Sequence, residues 1–596
     1  MAKKTIKINS IFRGISPSQY FGSEDTINTS IAIDPDLPIL STDIRTSGFP
    51  VPVGSAALTS TNVTSPIIRE ITNPKDNLLW TVQTNGRIVT FTSALAGETL
   101  IGTVAGSNAV WGEYYNNYIY VFGTGASKDD VSRIGPLNTL PYDGQSGNFT
   151  VGLTVTGGTS GATGVITADV DGGATGTLTL SNITGLFVDN ETITDTSTGS
   201  AAVNRTNASL IADNVWKGAT LGSLTALTNT KYPTLRSVDM PNHVAYVHGD
   251  GSMYFTDFIN GQGLLHRINT KRVTNEGDTN GTVVASAYNV LDFPFGFYPT
   301  SICSYSKSIL ITGMYSVDTT TNQGRSAFIL WDPTDTDTFY LGPVYLPDPL
   351  VTACLNVNGV AHIWTGNAQN GVRLSRYIGG ESIQDIVYQE EGLPPFAGAV
   401  DALGNRVVWG GFSTAPAVGA VVYAYGSKDA RLPKGLHNIS KTSSAGATPN
   451  VTALKYVLQS SNVTPKLVVS WRDGTTRGLD QYSTSATLAS EIRWMFNIGN
   501  EFNIERIMIP LAGSVAANTT IIVTLYFDDL SSSTALTTIN NTNYPSKRKI
   551  IYKGTELKNF GGKNNFTLGI AYTGTNPLPV GLPITIDLDL IPDERT

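Results

Sequence analysis

The chain has 596 residues, a formal net charge of −8 and a sequence pI near 5.3. That acidic balance argues against a nucleic-acid-binding surface as its main business, and the absence of any run of 18 apolar residues argues against a membrane-spanning helix. Charged residues make up only 14% of the chain while Gly alone contributes 60, and Thr, Ser and Asn are abundant, a composition suited to strands and tight turns.

The first 65 residues carry few regular strand patterns. Met1-Ala2-Lys3-Lys4-Thr5-Ile6-Lys7 is basic but leads into no apolar stretch, so no signal peptide is expected and synthesis is expected in the cytoplasm. Lys3, Lys4 and Lys7, like Lys547-Arg548-Lys549, read as solvated charge. Residues 1–65 read as an extended N-terminal arm whose apolar residues Ile11, Phe12, Tyr20, Phe21, Ile31 and Ile33 need cover. A neighbouring copy would supply that cover, giving oligomerisation through the arm. An ordered lead-in strand that closes the fold on itself is the competing account.

From residue 66 onward, aromatic strand doublets recur. Residues 78–82 run into 86–91, and 118–123 follow; later come 244–248 with 252–255, and 309–313 with 327–331. Then 361–366 precede 372–377, 407–410 precede 420–425, and 467–471 precede 475–480. The spacing is about 40 to 60 residues once one insert is removed, which suggests radial repetition. With hairpins as the unit, the expected fold is all-β: a β-propeller of about 6–7 blades, over 66–142 and 208–483. Residues 143–207 lack Lys, hold few aromatics and alternate Leu, Val or Ile with Thr, so they read as a small inserted β-domain. Residues 484–596 read as a C-terminal β-sandwich or jelly-roll-like domain. In its last strand Ile584, Ile586, Leu588 and Leu590 alternate with Thr585, Asp587 and Asp589. Helical periodicity is faint, its clearest traces lying around 486–496 and after Met240.

Chemistry-bearing constellations are scarce. The five histidines, His243, His248, His266, His362 and His437, form no metal-ligand spacing, and His248 and His362 sit inside strand patterns. Cys303 and Cys354 lie in apolar contexts and read as two buried thiols in adjacent blades. Glu381, Asp385 and Glu390-Glu391 supply carboxylates that a glycosidase could recruit, but as a sequence they read as polar loop residues. Asp332-Pro333-Thr334-Asp335-Thr336-Asp337 and Asp169-Val170-Asp171-Gly172 place carboxylates in turns, as hard-cation sites do; neither completes a known calcium loop, and Asp is a common turn former. Exposed aromatics beside Asn and Thr could stack on sugars, yet Trp80, Trp331, Trp364, Trp409 and Trp471 read as core packing between blades. No catalytic residue, cofactor site or metal site is assigned.

Three stretches resemble virion proteins of tailed bacteriophages. Gly14-Ile15-Ser16-Pro17-Ser18-Gln19-Tyr20-Phe21-Gly22 resembles the start of propeller-type tail proteins. Gly161-Ala162-Thr163-Gly164 and Gly173-Ala174-Thr175-Gly176-Thr177-Leu178-Thr179-Leu180 resemble small β-modules of tail and adaptor proteins. A propeller followed by a sandwich resembles components of the nozzle, tail tip or baseplate. The resemblance implies a non-enzymatic structural part of the virion tail. It would pair with copies of itself and other phage tail proteins, with a host surface glycan as a further partner. The alternatives are a receptor-binding or polysaccharide-depolymerising tail spike, and a bacterial surface adhesin or lectin.

Overall fold

The computed structural model describes residues 2–8, 29–31 and much of 54–591; the longest stretches outside the description are 9–28, 32–53, 218–242 and 269–286. The described residues are almost entirely β, with a single 3-10 turn at Gly554–Glu556. Among the described residues seven four-stranded antiparallel sheets form the blades of a propeller. Their innermost strands, in ring order, are Ile67–Thr72, Asn108–Tyr115, Ala245–Val247, Phe297–Tyr305, Leu350–Val357, Val400–Leu403 and Pro449–Val457. Each packs against the next, and the seventh packs back on the first. The faint helical signal at 486–496 is overridden: residues from 488 onward belong to a long strand, Leu488–Pro510, whose buried Ile492, Trp494 and Phe496 alternate as one sheet face requires.

Hairpin turns are written into the sequence. Asn358-Gly359 has φ of 52° and 85°, and Asn116-Asn117 has 48° and 68°, the left-handed pair of a two-residue hairpin turn. Blades approach closely where Gly permits. A Cβ on Gly410 of blade 6 would lie 2.4 Å from the Val451 Cβ of blade 7.

Polar ties run around the whole ring. Arg69 of blade 1 reaches Glu113 of blade 2 at 3.0 Å and lies over the Trp111 ring. Tyr115 Oη donates to the Gly251 carbonyl of blade 3 at 2.7 Å. Tyr246 Oη meets Ser304 Oγ of blade 4 at 2.9 Å, and Asn356 Nδ2 of blade 5 donates to the Ser304 carbonyl. Asn358 Nδ2 donates to Asn405 Oδ1 of blade 6, and Asp401 of that blade accepts from Lys455 Nζ at 3.0 Å and Tyr456 N at 2.8 Å. Ser470 Oγ of blade 7 donates to Glu70 of blade 1 and completes the circuit.

That last tie buries a carboxyl. Glu70 is 1% exposed and burial pushes its pKa up to about 8. Between 4.5 and 8 the folded state therefore holds a proton that the unfolded state has released, so stability falls as pH rises through that window and levels off above it. Glu70→Gln is expected to flatten this slope, which at its steepest is about 1.4 kcal/mol per pH unit. Urea unfolding across the window reads the difference; a variant with an unchanged slope contradicts the assignment.

The axis of the ring is not open at the level of residues 394–400, which lead from blade 5 to blade 6 and are all buried. Ala397 packs in one cluster with residues of blades 2 to 4. A Cβ on Gly398 would lie 2.2 Å from the Ile68 carbonyl oxygen of blade 1 and 3.5 Å from that of Thr452 in blade 7. Phe396 packs with blades 6 and 7, so this loop lies across the axis.

The inserted lobe is a closed six-stranded barrel. It hangs between the third strand of blade 2, Asp129–Ile134, and the outermost, Leu210–Lys217. Its first strand is Thr139–Gly147, so the lobe starts before the expected residue 143: Thr139 to Asp143 pair with Thr175 to Thr179 of the barrel, not with the blade. Its last strand, Ser200–Val203, ends before 207. Leu140, Ile166, Leu178, Phe187 and Ile193 fill the interior. Glu191 clamps one end, accepting from the backbone N–H of Thr159, Ser160 and Val188 at 3.0, 2.8 and 2.6 Å and from Ser160 Oγ at 2.7 Å. Burial opposes its charge, but these donors prevail and hold its carboxyl below the ordinary Glu value. The stabilisation is thus present above the unfolded pKa and lost as pH falls through the folded one. Glu191→Ala is expected to destabilise the barrel by about 3 kcal/mol, since it orphans buried donors of a charged acceptor. Faster amide exchange at Ser160 and Val188 checks it.

Among the described residues the C-terminal sandwich is one nine-stranded antiparallel sheet folded around a single core, built on the long strand Leu488–Pro510. Its first half pairs with Gly561–Gly574, which continues to Thr520–Phe527; its second half pairs with Ile584–Leu590 and Lys549–Lys553. The register with Gly561–Gly574 breaks between Asn497 and Phe502. Ile492, Trp494, Ile507, Leu525, Leu568 and Ile586 share one core.

The N-terminal arm requires a correction. Ala2–Ile8 pairs antiparallel with Ile584–Leu590 of its own chain, from Ala2 opposite Leu590 to Ile8 opposite Ile584. Thr29–Ile31 pairs with residues 491–493. Gly54–Ala57 forms the outermost strand of blade 7, with Gly54 opposite Ser483. These three segments find their strand partners within the chain, so the lead-in account holds for them and they lie on their own subunit. Ile11, Phe12, Tyr20, Phe21 and Ile33 lie outside the described residues.

Candidate functional site

The residues singled out in the sequence do not converge. Asp385 is spent on structure: its Oδ1 accepts from Ser375 Oγ at 2.7 Å and its Oδ2 from Arg373, which also holds Asp348 at 2.9 Å. Glu381, Glu390 and Glu391 lie outside the described residues, as do Asp335 and Asp337. In the insert, Asp169 accepts from Tyr142 Oη at 2.9 Å and Asp171 from Gly173 N at 2.7 Å, an ordinary Asx turn. Among the described residues no three His, Cys, Asp or Glu side chains group as a metal site.

The histidines are mostly core braces. His243 and His266 flank Asp257 in blade 3 at 3.6 and 3.4 Å, all three essentially buried. Burial would raise the Asp257 pKa, but His243 and then the His266 hydrogen bond hold it below the ordinary Asp value. His243 Nδ1 donates to the Thr256 carbonyl and His266 stacks on Phe255 at 4.9 Å. His248 Nε2 donates to the Lys307 carbonyl, a further tie between blades 3 and 4. His437 is buried in the outer strand of blade 6.

Cys303 and Cys354 are buried free thiols on the inner strands of adjacent blades 4 and 5. Burial pushes the Cys303 thiol well up, so neither chemistry nor oxidation is favoured there. Trp80, Trp331, Trp364 and Trp409 are at most 1% exposed. Trp471 departs from the core reading: it is half-buried, its ring lying over Gly478, where a side chain would not fit.

One place does gather polar groups. A cleft of 540 Å³ opens between blades 5 and 6, lined by Asn358, His362, Arg376, Gln384, Asp385, Asn405 and Tyr425 together with Val357 and Val360. It lies at the end of the blades where the first and second strands turn, because Asn358 and Asn405 both belong to such hairpin turns. Arg376 Nε donates to Gln384 Oε1 at 2.6 Å. Burial raises the Tyr425 pKa and the Arg376 charge opposes that rise, so the two side chains sense each other. Sequence reasoning placed Arg376 and Tyr425 in strands but did not join them. The available signal was the equivalent position of Asn358-Gly359 and Gly404-Asn405 in successive hairpins.

No family model matches the chain, and no curated protein matches it. Among solved structures it is similar to the β-propeller domain of Cps50 (Swd1) from Myceliophteria thermophila, at 9% identity and a TM-score of 0.35, covering 72% of this chain and 99% of that one. It is similar to the Pan2 WD40 domain of Neurospora crassa, at 9% identity and 0.33, covering 72% and 94%. The computationally designed Ika8 protein is similar at 11% identity and 0.33, covering 71% and 98%. The chain is an all-β protein with a β-propeller fold. None of the described helices is long and apolar enough to cross a membrane.

Proposed function

We propose that this protein is a non-enzymatic structural component of a tailed-phage virion, built into the tail near its axis or tip. The observation that carries the reading is the module order: a propeller tied around its whole ring, a closed barrel inserted in the rim of blade 2, and a terminal sandwich fastened by the strand Ala2–Ile8. It is supported by the resemblance of 161–164 and 173–180 to phage tail modules. Such a part needs stiffness and projecting surfaces for neighbours, and the barrel and sandwich supply two. Because residues 394–400 cross the propeller axis, any lumen of a ring of copies lies between subunits and not through each propeller. The test is imaging of phage particles in which this chain carries a label in the barrel turn at 172–173. Density at the tail in regular copies is expected; particles without the label, or label on the head, overturn the proposal.

A further inference from the structure

We propose that the cleft between blades 5 and 6 binds a saccharide residue that carries a carboxylate. Its 540 Å³ falls in the range of small-molecule sites, about 300–1,000 Å³. One cation in the lining is placed to meet an anion. Arg376 is the one Lys or Arg in the lining, and among the described residues no carboxylate pairs with it. The one acidic residue among the described lining, Asp385, is turned to Ser375 and to Arg373, which it shares with Asp348. Gln384 holds Arg376 by Nε, which fixes the guanidinium plane and leaves its Nη donors for the fork geometry that a carboxylate accepts.

The remaining lining suits the rest of a sugar. Asn358 spends its amide nitrogen on Asn405 Oδ1, and Gln384 spends its amide oxygen on Arg376. Asn405 Nδ2 and Gln384 Nε2 then remain as donors, and Asn358 Oδ1 as an acceptor, for hydroxyl groups. The half-buried Tyr425 offers a ring to an apolar pyranose face. A phosphate would want several cations or a nest of backbone N–H groups; this cleft offers one guanidinium among amides. The hairpin turns that carry Asn358 and Asn405 are joined to each other across the blade boundary, so the site is formed before any ligand arrives. The inference concerns this cleft alone and does not depend on the assembly role.

The experiment titrates the full-length protein with oligogalacturonate, oligoglucuronate and sialylated oligosaccharides, with neutral oligosaccharides of equal length, and with inorganic phosphate. Calorimetry or ligand-detected NMR provides the readout. At least one acidic saccharide is expected to bind at least about tenfold more tightly than its neutral counterpart, with Arg376→Gln abolishing that preference at unchanged thermal stability. Tyr425→Leu is expected to weaken acidic and neutral sugars alike. Binding by none of the acidic saccharides, equal binding of acidic and neutral ones, an unaffected Arg376→Gln, or phosphate binding competitively at the same site each overturn the proposal.

Discussion

Replacing Trp364 or Trp409 with alanine is expected to lower stability by about 3–5 kcal/mol, as for any large aromatic removed from a packed core. Trp364 sits in the second strand of blade 5 and Trp409 in the second strand of blade 6. Their ring centroids are 6.0 Å apart, and Trp409 stacks on Tyr423 at 5.8 Å. Val372, Leu374, Val400 and Val407 complete the same cluster. Each ring therefore fills the seam between two blades, which cannot collapse without moving a sheet. The two substitutions share a cavity, so the double variant should cost less than the sum of the singles. Denaturant unfolding measures this. A loss under about 1 kcal/mol, or strict additivity, would contradict the inter-blade packing.

Removing residues 1–8 is expected to melt the C-terminal sandwich well below the propeller. Ile6 and Ile8 are 2% and 0% exposed in the sandwich core, and each contributes about 1.5–3 kcal/mol of burial. The deletion also strips a seven-residue ladder and bares Ile584–Leu590 as a long edge strand. The exposed pairs Lys3–Glu505 and Lys3–Asp589 add little to that loss. Calorimetry should resolve a new low-temperature transition. A truncated chain that melts as before but loses mass in solution would return the strand to a neighbouring copy. Ile8→Ala tests the same contact without shortening the chain.

The propeller was legible because its signal is local. An aromatic strand, a turn and a second strand lie within about 25 residues, so hairpins announce themselves and their repetition announces the ring. The alternation of Ile584, Ile586 and Leu588 was equally plain, and all three are buried. What escaped is pairing over long separations. Lys3 to Ile8 carries a short alternation, with Ile6 and Ile8 inward and Lys7 outward, but its partner lies at the other end of the sequence and nothing local points there. The blade-closing strand Gly54–Ala57 is hidden for the same reason: Gly, Ser and Ala give no apolar stripe, and backbone pairing alone recruits them. The barrel edge at Thr139 was missed because Leu140 and Tyr142 look like the end of a blade doublet, and only their partners assign them to the barrel. The cleft failed for a different reason. Arg376, Gln384, Asn405 and Tyr425 are unremarkable singly, and their meeting depends on the lateral packing of two sheets.

The clasp of Ala2–Ile8 on Ile584–Leu590 has a mechanical consequence. Ala2 lies directly opposite Leu590, so tension applied through those two residues loads the strand pair at one end. An antiparallel pair pulled that way opens rung by rung, each hydrogen bond meeting the full force alone. The seven blades would feel nothing until the zip had run to Ile8 and Ile584. Tension entering instead through the barrel must first reach blade 2, where Asp129–Ile134 and Leu210–Lys217 are strands of a four-stranded sheet held in the ring. The molecule is thus soft when drawn from its paired end strands and stiff when drawn from its flank.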